Sequence, residues 1–212
     1  MNPISIFDRT IIVDNFYTDP DSVRNYALSQ TTEQSTNGNY AGIMTDNPFL
    51  TQEHIDMISG LVGHKVQPST QFTGKFRFTT EIDTIPKQDI HFDPGDNNCC
   101  WAGVIYLTPN VTNIDGTIFW QHKRTKLSEI PRTLEGIKQY GWNDTSDLKT
   151  FLDTDGIDHL LWNKTDVVMN KYNRLVLFRP WKFHSPGPAF GTNKQSARLI
   201  QTFFLSPIEH IL

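Results

Sequence analysis

Two cysteines, no long apolar run and no excess of basic residues are what this 212-residue sequence has least of, and each shortage excludes something. Cys99 and Cys100 are adjacent, and neighbouring residues rarely meet disulfide geometry, so no stapled scaffold is expected. Without a second cysteine pair there is no zinc site of the usual spacing, and the two thiols read as small buried apolar groups. In the opening stretch MNPISIFDRTIIVD, Asp8 and Arg9 interrupt the apolar residues, so neither a secretory core nor a membrane span is expected there and a cytoplasmic location follows. A net charge of -4 and a pI near 5.9 supply no long-range attraction for phosphate backbones, which sets nucleic acid aside as the default partner. No internal repeat, low-complexity tract or linker is visible.

What is present is aromatic and β-branched. Fourteen Phe and five Trp among 37% hydrophobic residues are enough for a packed core, and the length suits one domain over 1–212. TDPDSVRNYALSQ carries a helix signal, with Thr18 or Asp19 to cap it, Pro20 in the first turn and Val23, Tyr26 and Ala27 on one face. Residues 30–44 read as a polar loop around Asn37, Gly38 and Asn39. A second helix is expected over 51–62, from the spacing of Ile55, Ile58, Leu61 and Val62. From Phe76 onward strands dominate: 71–80, 101–108, 116–121, 166–169, 174–179 and 196–205 are β-branched, aromatic and bounded by Pro, Gly and Asn. So many strands with so little helix between them exclude a helix-crossover fold and predict a mainly β sandwich or closed roll with flanking α-helices. One amino-terminal strand and two covering helices fall in 1–70 and the core in 72–205. Residues 121–165, which open with HKRTK, form an insertion suited to a lid, a binding loop, an oligomer contact or a solvated excursion.

Chemistry enters at His91-Phe92-Asp93. An H-x-D match is common by chance, so its setting decides. His54 and Asp56 form a second match, but within a helix residues two apart point about 200° from each other. His91 and Asp93 lie in an extended setting, where residues two apart share a face, and Pro94-Gly95 ends the strand. Two histidines and a carboxylate on one side of an ion are the ligand set of non-haem Fe(II) oxygenases. The candidates for the third ligand are His64, His122, His159, His184 and His210. Of these, His184 alone follows an apolar strand, RLVLFRP, and precedes a turn, SPGPAFG, a position at the mouth of a β-roll.

Arg198 interrupts the apolar strand SARLIQTFFL and needs an anion, either a structural carboxylate of the protein or a ligand. Thr202 shares its strand face, and Tyr106, on the face of WAGVIYLT that also carries Ala102 and Val104, can donate to the same carboxylate.

These pieces in this order, HFD, VIYLTP, DGTIFW, NRLVLFRPWKFH and SARLIQTFF, resemble the Fe(II)- and 2-oxoglutarate-dependent dioxygenases, in the prolyl-hydroxylase-like branch, over residues 72–205. The resemblance implies a double-stranded β-helix, the jelly-roll or cupin-like core. It implies that His91, Asp93 and His184 ligate and act through Fe(II), and that Arg198, with Tyr106 and Thr202, holds the far carboxylate of 2-oxoglutarate. O2 would be the oxidant, succinate and CO2 the products, and a peptidyl or small-molecule substrate the target of hydroxylation. The family more often has Gly-Gly where this chain has Asp115-Gly116, and a shorter gap from histidine to cation, which leaves Lys194 as an alternative to Arg198. The insertion and residues 30–44 are lid candidates, and Trp120 and Trp181 candidate substrate walls. Two rival readings stand beside this one: a cupin-like metal enzyme that does not use 2-oxoglutarate, and a metal-free binding module on the same fold. Oligomeric state is not legible.

Overall fold

A computed structural model of the chain describes residues 5–7, 10–34, 41–83, 89–93 and 99–208. His210, the turn at 37–39 and the Pro94-Gly95 strand end lie outside them. In chain order the elements are β1 Ser5–Phe7, β2 Thr10–Val13, α1 Pro20–Ser29, β3 Thr32–Gln34, β4 Ile43–Thr45, α2 Gln52–Val62, β5 Val66–Pro68 and β6 Phe76–Thr79. They continue with β7 Trp101–Tyr106, β8 Asp115–His122, α3 Leu134–Lys138, α4 Thr145–Asp155, β9 Trp162–Met169, β10 Arg174–Phe178, β11 His184–Pro186 and β12 Arg198–Pro207.

The strands form two antiparallel sheets. The larger runs β1-β2-β10-β7-β12-β6-β4-β3, with β5 also on β12; the smaller runs β11-β8-β9. Alternation along the strands decides what each face of the larger sheet meets. Ile105, Leu175, Leu177, Leu199, Phe203 and Leu205 point to one side, where they pack with Val23 and Ala27 of α1 and Ile55 and Ile58 of α2. Ala102, Tyr106, Val176, Phe178, Ile200 and Phe204 point to the other, towards Phe119 of β8 and Val168 of β9. Two facing sheets with helices outside one of them make the mainly β, jelly-roll architecture that the strand count predicts.

Local signals account for the helices. Asp19 caps α1, accepting from the Ser22 amide at 3.0 Å, and Thr51 caps α2, which ends at Gly63 with φ 80°, the left-handed conformation that glycine adopts without penalty. Residues 30–44 are less loop-like than their composition predicts, since β3 and β4 pair there from Thr32↔Thr45 to Gln34↔Ile43. β3 is the solvated edge of its sheet and needs no apolar alternation, while β4, inside it, is only three residues long, too short to leave a pattern. β1 and β5 are likewise three residues each, so residues 1–70 hold five strands rather than one. The insertion is packed rather than solvated: Leu148, Phe151 and Leu152 of α4 join Trp162, Ile118, Trp120, Ile90 and Phe183 in a buried cluster.

Candidate metal centre and its cavity

His91 does not lie in a named strand. It forms a single antiparallel bridge with His184, in which the His91 amide donates to the His184 carbonyl at 2.9 Å and the His184 amide donates back at 2.8 Å. Asp93 is held by its own amide, which donates to the Pro180 carbonyl at 2.8 Å. Among the described residues, His91, Asp93 and His184 form a group whose ligand atoms all lie within 4.8 Å of one another. The Asp93 carboxylate is 3.2 Å from His184 Nε2 and 3.8 Å from His91 Nε2. Ligands bound about 2.1 Å from a shared ion at right angles sit about 3 Å apart, so small side-chain movements close this group on one ion.

The tautomers fit. His91 Nδ1 donates to the Asp89 carbonyl at 2.8 Å and His184 Nδ1 to the Lys182 carbonyl at 2.9 Å. Each ring therefore carries its proton on Nδ1 and turns the Nε2 lone pair towards Asp93, the arrangement by which metal-ligating imidazoles are oriented. Burial, reinforced by His184 and opposed by Asp93, pushes the His91 pKa down to about 4, so the ring is neutral at neutral pH, as a metal ligand must be. Two imidazoles and one carboxylate are a donor set suited to Fe(II).

Arg198 is 4% exposed. Its Nη2 donates to the Gly116 carbonyl at 3.0 Å, while Nε is buried without a hydrogen-bond partner. Burial lowers its pKa, and the group acting against that is Tyr106 rather than any carboxylate. The structural ion pair left open by the sequence is thus not made among the described residues. Lys194 is directed elsewhere, donating to the Leu28 and Gln30 carbonyls at 3.0 and 2.8 Å.

Tyr106 is fully buried, and its hydroxyl shares a hydrogen bond of 2.6 Å with Thr117. Burial pushes its phenol up to about 12, so it stays protonated. Gly116 makes room for the ring: a Cβ there would lie 2.6 Å from Tyr106 Cζ. Thr202 faces the cavity but donates its hydroxyl hydrogen to the Phe72 carbonyl at 2.9 Å, so it offers the cavity oxygen lone pairs rather than a donor.

The triad, Arg198, Thr117 and Thr202 line one cavity of about 480 Å³ between the sheets, walled by Val104, Ile118, Phe178, Ile200 and Phe204. Sequence reasoning missed Arg77, which lines the same cavity and is 4% exposed. In the sheet Arg77 stands opposite Ile200 on β12, a register that the sequence alone does not carry, and FRFT reads equally well with the arginine on the solvated face. The charge of Arg77 also reaches His91, where it disfavours the imidazolium.

Of the lid candidates, Ala41 and His159 reach the cavity, and His159 pairs with Asp89 at 2.6 Å. Trp120 is not among the lining residues; it is buried and donates to Ser185 Oγ at 3.0 Å. Trp181 lies outside the cavity too, with the Arg132 guanidinium 3.9 Å from its ring centre. His122 pairs with Asp155 at 3.3 Å. Cys99 and Cys100 are free thiols, and burial pushes that of Cys99 up to about 11.

A family model described as a family of unknown function, DUF6445, matches residues 6–204. The chain belongs to that family. No curated protein matches the sequence. Among solved structures, the non-heme alpha-ketoglutarate-dependent epimerase SnoN from nogalamycin biosynthesis superposes with a TM-score of 0.60 at 12% identity, covering 94% of this chain and 79% of that one. A Pseudomonas putida prolyl-4-hydroxylase aligns over 95% of this chain and 94% of its own at 12% identity, with a TM-score of 0.47. The fold is that of the Fe(II)- and 2-oxoglutarate-dependent oxygenases. No helix among the described residues is long and apolar enough to cross a membrane.

Proposed function

We propose that the protein is a non-haem Fe(II)- and 2-oxoglutarate-dependent oxygenase acting on a small molecule or one side chain of a peptide. The observation that carries this reading is Arg198. A buried guanidinium without a carboxylate partner faces the same cavity as a His-Asp-His cluster, and a charge so placed calls for an anionic ligand beside the metal. A cupin-like metal enzyme without 2-oxoglutarate gives no reason for that cation.

His91 and His184 would hold the iron through Nε2, with their rings fixed by the Asp89 and Lys182 carbonyls, and Asp93 would supply the anionic ligand. Bound Fe(II), with 2-oxoglutarate and O2, supplies the oxidation: the oxo acid loses CO2 to give succinate while a substrate C–H bond is hydroxylated. Arg198 orients the co-substrate through its far carboxylate, and Tyr106, hydrogen-bonded to Thr117, buttresses that end of the cavity. Val104, Ile118, Phe178, Ile200 and Phe204 exclude water from the reacting centre, which suppresses side reactions. A cavity of about 480 Å³ is of small-molecule size.

Anaerobic addition of Fe(II), then 2-oxoglutarate, tests the reading. The expected result is a visible metal-to-ligand charge-transfer band that appears with the second addition. Folded protein that binds the metal and gives no band would sink it. Because SnoN is an epimerase, a substrate screen scores stereochemical inversion as well as hydroxylation.

A further inference from the structure

The cavity wall carries two buried arginines, and their places in the sheet differ in a way that matters. Along β12 the inward residues run Phe204, Thr202, Ile200, Arg198. Phe204 pairs with Ala102, which pairs with Phe178, and the Phe178 ring centre lies 4.6 Å from that of His184. This rung marks the metal end. Arg77 stands opposite Ile200, whereas Arg198 stands opposite Thr79. Arg77 is therefore two residues nearer the metal, about 7 Å along the strand at 3.3–3.4 Å per residue.

Its side chain leans the same way. The Arg77 guanidinium carbon lies 5.9 Å from the Phe72 ring centre, and the Phe72 carbonyl is the acceptor for Thr202, one rung closer to the metal than Ile200. Two guanidiniums on neighbouring strands of one face repel each other, and an anion shared between them offsets that. The carboxyl carbons of 2-oxoglutarate are joined by four C–C bonds of about 1.5 Å, so they stand about 5 Å apart, close to the offset of the two arginines.

We propose that Arg77 and Arg198 divide the two carboxylates of 2-oxoglutarate between them, Arg198 taking the far one and Arg77 the one joined to the keto carbon at the metal. This rests on the co-substrate reading above. The guanidinium fork suits both roles, since it pairs with a carboxylate through two parallel N–H donors. The division has a chemical consequence: Arg77 recognises any 2-oxo acid, and Arg198 selects the dicarboxylate.

The test uses Co(II)-loaded protein without O2, titrated calorimetrically with 2-oxoglutarate and with 2-oxopentanoate, in which a methyl group replaces the far carboxylate. Arg77→Met is expected to weaken both ligands by the same factor, tenfold or more, at unchanged Co(II) affinity. Arg198→Met is expected to weaken 2-oxoglutarate alone. Should Arg77→Met fail to fold, Arg77→Lys is read in the same way, with a smaller but equal loss for both acids. A loss confined to 2-oxoglutarate overturns the division. So does an unchanged affinity for both, which would assign Arg77 to the primary substrate or to the protein itself, and so does a matching loss of Co(II). Wild-type protein that binds 2-oxoglutarate but not 2-oxopentanoate also overturns it. Wild-type protein that binds Co(II) and neither acid sinks the co-substrate reading, and this inference with it.

Discussion

The main-chain groups of His91 and His184 exchange both of their hydrogen bonds, at 2.9 and 2.8 Å. Two side chains that converge on one point are thus held by a single antiparallel rung between distant parts of the chain, and their ring centres come within 4.5 Å. Geometry set by backbone pairing is present before any ion arrives, so the side chains need little ordering on binding.

Removing Asp93 tests that preorganisation. Asp93→Ala deletes the carboxylate that neighbours both imidazoles and leaves the rung intact. Co(II) affinity should fall at least about 100-fold, beyond the 10–100-fold typical of changes behind the ligands, with an unchanged circular dichroism spectrum. Arg198→Met should leave Co(II) affinity where it was. Equal losses of metal in the two variants would place Arg198 in the metal centre.

Gly116 links the far end of the cavity to the smaller sheet. Its carbonyl accepts from Arg198 Nη2 at 3.0 Å and from the Gly187 amide at 2.7 Å. An added Cβ would lie 2.6 Å from Tyr106 Cζ and 2.7 Å from the Val168 carbonyl. Gly116→Ala should cost about 1–3 kcal/mol of stability, the range for overpacking, read from urea unfolding. It should also weaken 2-oxoglutarate binding, because Tyr106 and the Arg198 acceptor must both move. Unaltered stability and binding would show that the phenol is free to shift.

How much of this was legible follows from what each residue reports locally. The central strands β7, β10 and β12 were readable because, buried on both faces, they are runs of β-branched and aromatic residues bounded by Pro, Gly and Asn. The grouping of His91, Asp93 and His184 was readable because His184 follows an apolar strand and because helical geometry set His54-Ile55-Asp56 aside; the structure places His54 against Tyr17, ring centres 5.1 Å apart, with Asp56 accepting from Gln52. Arg77 was not readable, since a charged residue within an alternating strand looks solvated unless the register with β12 is known. Nor were β3, a polar edge strand, and β4, three residues held between β3 and β6, since strands so short leave no periodic record. Thr202 was placed on the inward face, but the acceptor for its hydroxyl hydrogen, Phe72, lies 130 positions away.

His54 gives a pH dependence away from the candidate metal centre. Its Nδ1 accepts from the Thr51 amide at 3.2 Å, which requires the neutral ring, and burial lowers its pKa below 6.5 while Glu53 opposes the shift. The folded value thus lies below the unfolded one, and between them the unfolded chain binds more protons. The stabilisation is present in full above about pH 6.5 and is lost progressively as pH falls below it. Metal-free protein should lose stability between pH 7 and pH 5, by an amount that His54→Gln reduces. A His54 imidazole titrating at or above pH 6.5 by NMR would contradict this.

Leu152 of α4 is 2% exposed and packs in the cluster that contains Ile90 and Phe183, the immediate chain neighbours of His91 and His184. The Ile90 amide donates to the Gly156 carbonyl at 2.9 Å, just beyond α4, and the Phe183 amide to the Ser128 carbonyl at 2.9 Å. The insertion therefore packs behind both histidines of the candidate metal centre, which a detachable lid would not do. Leu152→Ala should cost about 2–5 kcal/mol, the range for emptying a buried leucine site, in one cooperative urea transition. Because the cavity it leaves adjoins Ile90, Co(II) affinity should fall as well. A cost below about 0.5 kcal/mol, the level of an exposed substitution, or a separate early transition with unchanged metal affinity, would make the insertion an independent flap.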